Sequence, residues 1–146
     1  MEVSYAFFAR AAEQSPDGTL HVFGADFDTL QVDAFPALTP FNLVVKFVCR
    51  QFERGETRRI AIDLTRPKGA RSQVAEKQIV LGAGVAEHDQ DFGASLVVLI
   101  GMLFEAAGSY SFHVLVDGVE MKMLRLRVLP TSAAPIATDV AERQNA

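Results

Sequence analysis

The sequence predicts an all-β fold, a two-sheet antiparallel β-sandwich of about eight strands, and three observations support it. Short runs of alternating apolar and polar residues recur along the chain. Turn signals rich in glycine, proline and aspartate separate these runs. Convincing helical periodicity is absent from the sequence. Two packed sheets with an immunoglobulin-like or a jelly-roll-like topology are therefore expected.

Length and composition indicate one globular domain. The 146 residues are 49% hydrophobic and 22% charged, and the net charge is −4. That charge has the wrong sign for a dedicated nucleic-acid-binding protein, so a nucleic-acid partner is not expected. We predict a sandwich domain over residues 1–129. We predict a flexible tail over residues 130–146, where large apolar residues are too few to offset the entropy of ordering.

The single cysteine and the amino-terminal residues predict a cytoplasmic protein. Cys49 has no partner for an internal disulfide. Glu2 stands where a secretion signal carries basic residues, so we expect no export. The longest apolar run, Leu96–Phe104, has nine residues. A membrane-spanning helix needs about 18 or more, so no membrane segment is expected.

The first half of the chain predicts two hairpins. Ser4–Ala12 alternates as a strand, and Ser15-Pro16-Asp17-Gly18 has proline and glycine where a turn into the next strand favours them. Residues 27–33 show short mixed alternation, and the two prolines of residues 35–40 mark an edge or a crossing loop. Asn42–Phe52 alternates with Cys49 on its inward face, a polar turn follows at residues 53–56, and Arg59–Thr65 returns. Asn42–Phe52 and Arg59–Thr65 form the second predicted hairpin.

The second half predicts a basic loop, further strands and a closing hairpin. Residues 66–72 form the loop, residues 74–81 a weaker strand, and residues 82–93 a further loop. Leu96–Phe104 is apolar on both faces, as expected of a central strand covered on both sides or of a strand that meets a partner chain. Asp117-Gly118 is a favoured two-residue hairpin turn. With the register that this turn sets, the alternation of the last strand breaks near Met123-Leu124. The break predicts either a β-bulge that brings Leu126 near Tyr110 or a passage of the strand from one sheet to the other.

Several short motifs of turn and core residues lie between residues 5 and 129. They are Tyr5-Ala6-Phe7-Phe8-Ala9-Arg10-Ala11-Ala12, Pro16-Asp17-Gly18 with Leu20, Gly24 and Ala25, Phe35-Pro36, Gly108-Ser109-Tyr110-Ser111-Phe112, Val116-Asp117-Gly118 and Leu126-Arg127-Val128. In these motifs the chain resembles a bacterial family of domains of unknown function. The resemblance implies a compact all-β domain and assigns no activity and no site residues.

The middle of the chain is basic although the whole is acidic. Residues 46–77 hold nine basic and four acidic residues. Lys46 and Arg50 share an outward strand face, and the other basic residues are expected on the neighbouring strand or loop. A solvated face that prevents edge pairing is the favoured interpretation of this segment, and an anion-binding patch is the alternative. Its members are Lys46, Arg50, Arg58, Arg59, Arg66, Lys68 and Arg71.

The acidic loop is a weak candidate for a cation site. Glu87, Asp89 and Asp91 are spaced by two, so their carboxylates could converge on calcium. Gly93 stands where a further acidic or amide ligand would be wanted, so the loop does not match an EF-hand. A solvated loop is the favoured interpretation. We therefore predict no metal site.

No pattern of catalytic residues is evident in the sequence. His21, His88 and His113 are scattered, and no nucleophile-elbow motif occurs. A non-enzymatic interaction or scaffolding module without cofactors is the leading prediction. We expect it to form homo-oligomers, and to bind another protein if it has a second partner, because Ala6–Phe8 and Leu96–Phe104 are apolar on both faces. The alternative is a small-ligand or anion-binding domain that uses residues 46–77.

Overall fold

The computed structural model describes residues 1–82 and 90–131, in which the chain forms strands and one short 3-10 helix. The predicted all-β class is confirmed. The strands are β1 (Glu2–Gln14), β2 (Leu20–Phe27), β3 (Thr29–Val32), β4 (Ala37–Leu38), β5 (Phe41–Cys49), β6 (Thr57–Thr65), β7 (Arg71–Val80), β8 (Phe92–Ile100), β9 (Leu103–Phe104), β10 (Gly108–Val116) and β11 (Val119–Pro130). The 3-10 helix is Gln51–Glu53.

The strands form two larger sheets and one small ribbon. Sheet A has the order β2-β1-β5-β8, sheet B has the order β3-β11-β10-β6-β7, and β4 pairs with β9. All pairs are antiparallel except β3 with β11, which is parallel. The expectation of antiparallel pairing alone is wrong at this edge, because the chain leaves sheet A after β2 and enters sheet B beside the end of β11.

One core lies between the two sheets. Phe8 of β1, Phe41 of β5 and Phe112 of β10 are at most 2% exposed. The ring centroid of Phe8 lies 5.5 Å from that of Phe41 and 5.2 Å from that of Phe112. The edge-to-face contact between Phe8 and Phe112 connects sheet A to sheet B, while Phe8 and Phe41 pack together within sheet A.

The closing hairpin confirms the predicted turn and moves the predicted bulge. Asp117 and Gly118 have φ values of 48° and 84°, as a two-residue turn with positive φ at both positions requires. Val114 pairs with Lys122 and Leu115 with Glu120, so the extra residue is Met121. The predicted bulge near Met123-Leu124 is therefore wrong in position by two residues, whereas the predicted placement of Leu126 beside Tyr110 is confirmed.

The predicted second hairpin is wrong. β5 lies in sheet A and β6 in sheet B, and the 3-10 helix carries the chain from one sheet to the other. Buried residues of β5, such as Phe47, and of β6, such as Ile62, belong to the same core. Strands that face each other across a core show the same alternation as strands that pair side by side, so their pattern does not distinguish the two arrangements.

Leu96–Phe104 is not one central strand. β8 ends at Ile100 and is the last strand of sheet A, while Leu103 and Phe104 form β9. Of the two interpretations that the sequence of this segment allowed, the one that remains is a strand that meets a partner chain.

The predicted tail begins inside a strand. Pro130 pairs with Val32 at the end of β11, and the Thr131 amide donates a hydrogen bond to the Val32 carbonyl at 2.9 Å. Pro130 and Thr131 are therefore part of the sheet B edge. The rest of the predicted tail, residues 132–146, lies outside the described residues.

Tyr110 connects the start of β10 to the loop before it. Its side chain is 2% exposed, and its hydroxyl donates a hydrogen bond to the Ala106 carbonyl at 2.6 Å. We expect Tyr110→Phe to lower the free energy of unfolding by about 1 kcal/mol, because a hydrogen bond is lost and a carbonyl loses its donor. Urea unfolding measures this loss. Tyr5→Phe is the control, since Tyr5 is 39% exposed, and equal losses in the two variants would contradict the assignment.

Candidate functional site

β8 is an edge strand with little to prevent further pairing. It pairs with β5 from Phe92 to Ile100, and no strand pairs with its other edge in residues 1–82 and 90–131. Its sequence, Phe-Gly-Ala-Ser-Leu-Val-Val-Leu-Ile, has no charged residue and no proline. Such a strand can accept another strand through its unpaired backbone groups.

The other edge strands are protected. β7 carries Arg71, Glu76 and Lys77, and charged side chains oppose edge-to-edge pairing. β2 has positive φ at Gly24 and Asp26, and its pairing with β1 shifts register there. β3 has four residues and ends one side of sheet B. β8 is therefore the longest edge strand without such protection in the part of the chain that the structure describes.

The outer face of sheet A beside β8 is mostly apolar. Phe7, Val44 and Val97 form one cross-strand row, and Asn42 and Leu99 lie in the next. Leu99 is 67% exposed, whereas Val44 is fully buried by its neighbours. A strand added beside β8 would cover Val97 and Leu99.

Open space adjoins the first half of the β8 edge. A depression of about 530 Å³ is bounded by the β1–β2 turn, by the end of β7 and by the first residues of β8. Gly82 and Gly93 line it. The Arg54 and Lys46 side chains lie against these glycines, since an added Cβ would be 2.9 Å from Arg54 Cγ at Gly82 and 2.8 Å from Lys46 Cε at Gly93. The first half of the β8 edge thus borders open space among the described residues.

The structure divides the predicted anion patch between the two sheets. Lys46 and Arg50 belong to β5 and the residue after it, in sheet A. Arg58, Arg59, Arg66, Lys68 and Arg71 belong to β6, β7 and the loop between them, in sheet B. The expectation that β6 neighbours Lys46 and Arg50 in one sheet is wrong, because β5 and β6 lie on opposite sides of the core.

Carboxylates lie close to four of these seven basic residues. The pairs are Arg50 with Asp91 at 2.9 Å, Arg58 with Glu56, Arg59 with Glu76 at 2.6 Å, and Arg71 with Asp63 at 3.1 Å. Among the described residues, no carboxylate oxygen lies within 4.0 Å of a side-chain nitrogen of Lys46, Arg66 or Lys68. Much of the positive charge of the segment is compensated within the protein.

Arg66 and Lys68 line one depression of about 480 Å³ at the opposite end of sheet B from the closing turn. The loop between β6 and β7 forms one wall, and the segment from β9 to β10 forms the other. Its lining residues are Arg66, Pro67, Lys68, Ala70, Leu103, Glu105, Ala106, Ala107 and Tyr110. The structure thus brings two of the predicted anion-binding residues together beside apolar side chains.

The acidic loop is only partly described. Glu87 and Asp89 lie outside the described residues. Asp91 accepts hydrogen bonds from the Arg50 side chain at 2.9 Å and from the Gln51 amide at 3.2 Å. Its carboxylate therefore joins the end of β5 to the start of β8. In residues 1–82 and 90–131 no group of His, Cys, Asp or Glu side chains is arranged to hold a metal ion.

Glu53 is a buried carboxylate that the sequence analysis placed in a polar turn. It is 5% exposed. Its Oε2 lies 3.0 Å from the Met1 α-amino nitrogen, and the Arg50 amide donates to the same oxygen at 2.7 Å. Burial alone would raise the pKa of Glu53, but the Arg50 amide, the α-amino group and Arg58 lower it below its ordinary value of 4.5. Met1 and Glu53 are 52 positions apart in the sequence, so no local sequence pattern predicts the contact between them.

The side chains of Thr65, His113 and Glu120 form a polar row, called the polar line, across the outer face of sheet B. The Thr65 hydroxyl lies 2.9 Å from Nε2, and Glu120 Oε1 lies 2.7 Å from Nδ1. A hydroxyl, an imidazole and a carboxylate in this order can activate a nucleophile. None of these three residues lines either depression described above, and Arg71 also contacts Glu120 at 3.4 Å. We interpret the line as a cross-strand connection between β6, β10 and β11.

Cys49 lies in the core, as its position on the inward face of its strand predicted. It is fully buried. Burial and then the nearby charge of Glu53 raise the pKa of its thiol. The thiol is therefore a poor nucleophile in the folded protein.

Comparisons with known proteins agree with the resemblance found in the sequence. No curated protein matches this chain. Among the described residues, no helix has the length and hydropathy required to cross a membrane. A family model matches residues 4–129, which begin in β1 and end near the end of β11. By this match the chain belongs to the family of unknown function DUF6941.

Proposed function

We propose that this chain is a non-enzymatic interaction module that self-associates by pairing β8 of one copy with β8 of a second. The observation that carries the proposal is a nine-residue edge strand without charge or proline. A two-fold axis between two identical edge strands makes them antiparallel. The two copies would then share one sheet with the order β2-β1-β5-β8-β8-β5-β1-β2.

Surface chemistry favours a second copy as the occupant. The β8 edge has no charged side chain, so two acidic chains can approach there without strong local repulsion. Val97 and Leu99 of each copy would gain apolar neighbours. An interface of one strand and its flanking residues covers on the order of 600 Å² of each copy, at the low end for stable dimers. We therefore expect a dimer that dissociates on dilution.

We also propose that the two sheets form an immunoglobulin-like sandwich and not a jelly roll. β5 and β8 in one sheet, opposite β6, β10 and β11 in the other, correspond in order to strands B and E opposite C, F and G of that fold. The Tyr110 hydroxyl bonds to the chain four residues upstream at the start of β10, as in the tyrosine corner of such domains.

A single buried cysteine supports a reducing, cytoplasmic setting.

The Leu99→Lys variant tests the proposed interface. Leu99 is 67% exposed, so lysine is tolerated in the single copy, with a change of about 0.5 kcal/mol or less in the free energy of unfolding. A charge beside the new strand pair weakens the dimer, and we expect at least about a tenfold increase in the dimer dissociation constant. Sedimentation velocity over a range of protein concentrations measures this constant.

Val119→Lys is the matched control. Val119 is 62% exposed and lies at the β10–β11 turn, away from sheet A. This variant should dimerise as the unchanged protein does. A chain that remains at 15.9 kDa at every accessible concentration would overturn the proposal. Equal weakening by Leu99→Lys and Val119→Lys would overturn the assignment to β8.

A further inference from the structure

We propose that the depression lined by Arg66, Lys68 and Leu103 binds a monocarboxylate that carries a short apolar chain. This site lies on sheet B and the loops at its end, and β8 lies in sheet A. The inference does not rest on self-association.

The two cations at this depression are available to an anion. The other arginines of the anion patch each have a carboxylate partner, whereas none lies within 4.0 Å of Arg66 or Lys68 among the described residues. Arg66 Nη1 donates to the Ser72 hydroxyl at 2.7 Å. This bond orients the guanidinium and leaves its other N–H groups for a carboxylate.

Apolar surface adjoins the two cations. Leu103 is 48% exposed, and its partner in the β4–β9 ribbon, Leu38, is 69% exposed. Pro67, Ala106 and Ala107 continue this surface within the depression. A volume of about 480 Å³ is within the range of small-molecule sites. An aliphatic chain in the depression would cover Leu103 while its carboxylate meets Arg66 and Lys68.

Both walls are held in place before any ligand arrives. The β6–β7 loop is closed by hydrogen bonds from the Arg66 amide to the Ala70 carbonyl and from the Gly69 amide to the Arg66 carbonyl, each at 2.8 Å. The opposite wall is tied by the Tyr110 hydroxyl to Ala106. The walls meet closely at Gly108, where an added Cβ would lie 2.8 Å from Pro67 Cγ. A preformed site loses little conformational entropy on binding.

Glu105 restricts the charge of the ligand. Glu105 is one of the residues that line the same depression. A second negative charge on the ligand would be repelled by this carboxylate. The site therefore favours a monocarboxylate over phosphate or a dicarboxylate.

Titration with hexanoate, followed by the amide resonances of the protein, tests this inference. We expect saturable shifts in residues 66–70 and 103–107, with a dissociation constant on the order of 1 mM. Hexanol, which has the chain without the charge, and succinate, which has two charges, should bind at least about tenfold more weakly. Lys68→Gln should weaken hexanoate binding about tenfold, because one charge-assisted hydrogen bond is lost.

Lys77→Gln is the control, because it removes the same charge as Lys68→Gln. Lys77 pairs with Ile60 near the end of β7 that lies away from the β6–β7 loop. It should leave hexanoate binding unchanged. No saturable shift up to about 50 mM hexanoate would overturn the inference, since this is far above the expected constant. Equal binding of hexanol, or equal weakening by Lys77→Gln and Lys68→Gln, would also overturn it. Leu99→Lys should bind hexanoate normally, so failure of the proposed dimer and failure of this site are distinguishable.

Discussion

Phe112→Ala should lower the free energy of unfolding by about 4 kcal/mol, the largest loss that we expect from a single substitution in this chain. Phe112 is fully buried. Its ring contacts Phe8 at 5.2 Å and Phe41 at 5.8 Å between centroids. Alanine would leave a cavity where the two sheets meet. Thermal unfolding should show a fall of about 15 °C in Tm for a domain of this size.

Phe52→Ala provides the matched control for Phe112→Ala. Phe52 is 78% exposed, so the same truncation should change stability by about 0.5 kcal/mol or less. Phe112→Leu, which keeps most of the volume, should lose about 1.5 kcal/mol and gives a measurable value if the alanine variant does not fold. Equal losses for Phe112→Ala and Phe52→Ala would show that Phe112 does not join the sheets as described.

Glu53→Ala should lower the free energy of unfolding by about 3 kcal/mol at pH 7, because a buried ion pair loses one partner. The Met1 α-amino group and the Arg50 amide would both lose their acceptor. Urea unfolding of the chain with Met1 as its first residue measures the loss. Glu105→Ala is the control, since Glu105 is exposed. Equal losses in the two variants would contradict the buried pair.

The pH dependence of this loss follows from the pKa of Glu53. The pKa in the folded protein lies below the ordinary value of 4.5. The ionised carboxylate therefore stabilises the fold fully above that value, and this stabilisation is lost as the pH falls through the lower, folded pKa. The difference between the unchanged protein and Glu53→Ala should be constant near neutral pH and shrink below pH 4.5. A difference that grows on acidification would contradict the direction of the pKa shift.

Local patterns predicted those parts of the fold that depend on neighbouring residues. Asp117-Gly118 identified the closing turn, and Ser15-Pro16-Asp17-Gly18 identified the first, where the Gly18 amide donates to the Ser15 carbonyl at 2.9 Å. Tyr110, Phe112, Val114 and Val116 recur at every second position of the sequence and form the buried face of β10. In each case the signal and the structure lie within a few residues of each other.

Sheet membership could not be predicted from the same patterns. β5 and β6 bury one face each whether they pair or face each other across the core. β8 is apolar on both faces, a pattern that fits a central strand as well as a strand that meets a partner chain, and the strand lies at an edge of sheet A. Strand order depends on contacts between distant segments, which alternation does not encode.

The candidate sites were predicted in part, for the same reason. Basic composition identified Arg66 and Lys68, but it did not separate them from arginines that have carboxylate partners. Glu76 and Asp63 neutralise Arg59 and Arg71 only because β7 pairs with β6. Charge counting along a sequence omits these cross-strand partners.

The most direct test of self-association through β8 is hydrogen–deuterium exchange of its backbone amides at two protein concentrations. Between about 1 µM and about 200 µM, we expect exchange in residues 92–100 to slow at least about tenfold as the second copy covers the free edge. Exchange in β7, whose edge is charged, should be unchanged. Exchange in β8 that does not depend on concentration would contradict the proposed dimer.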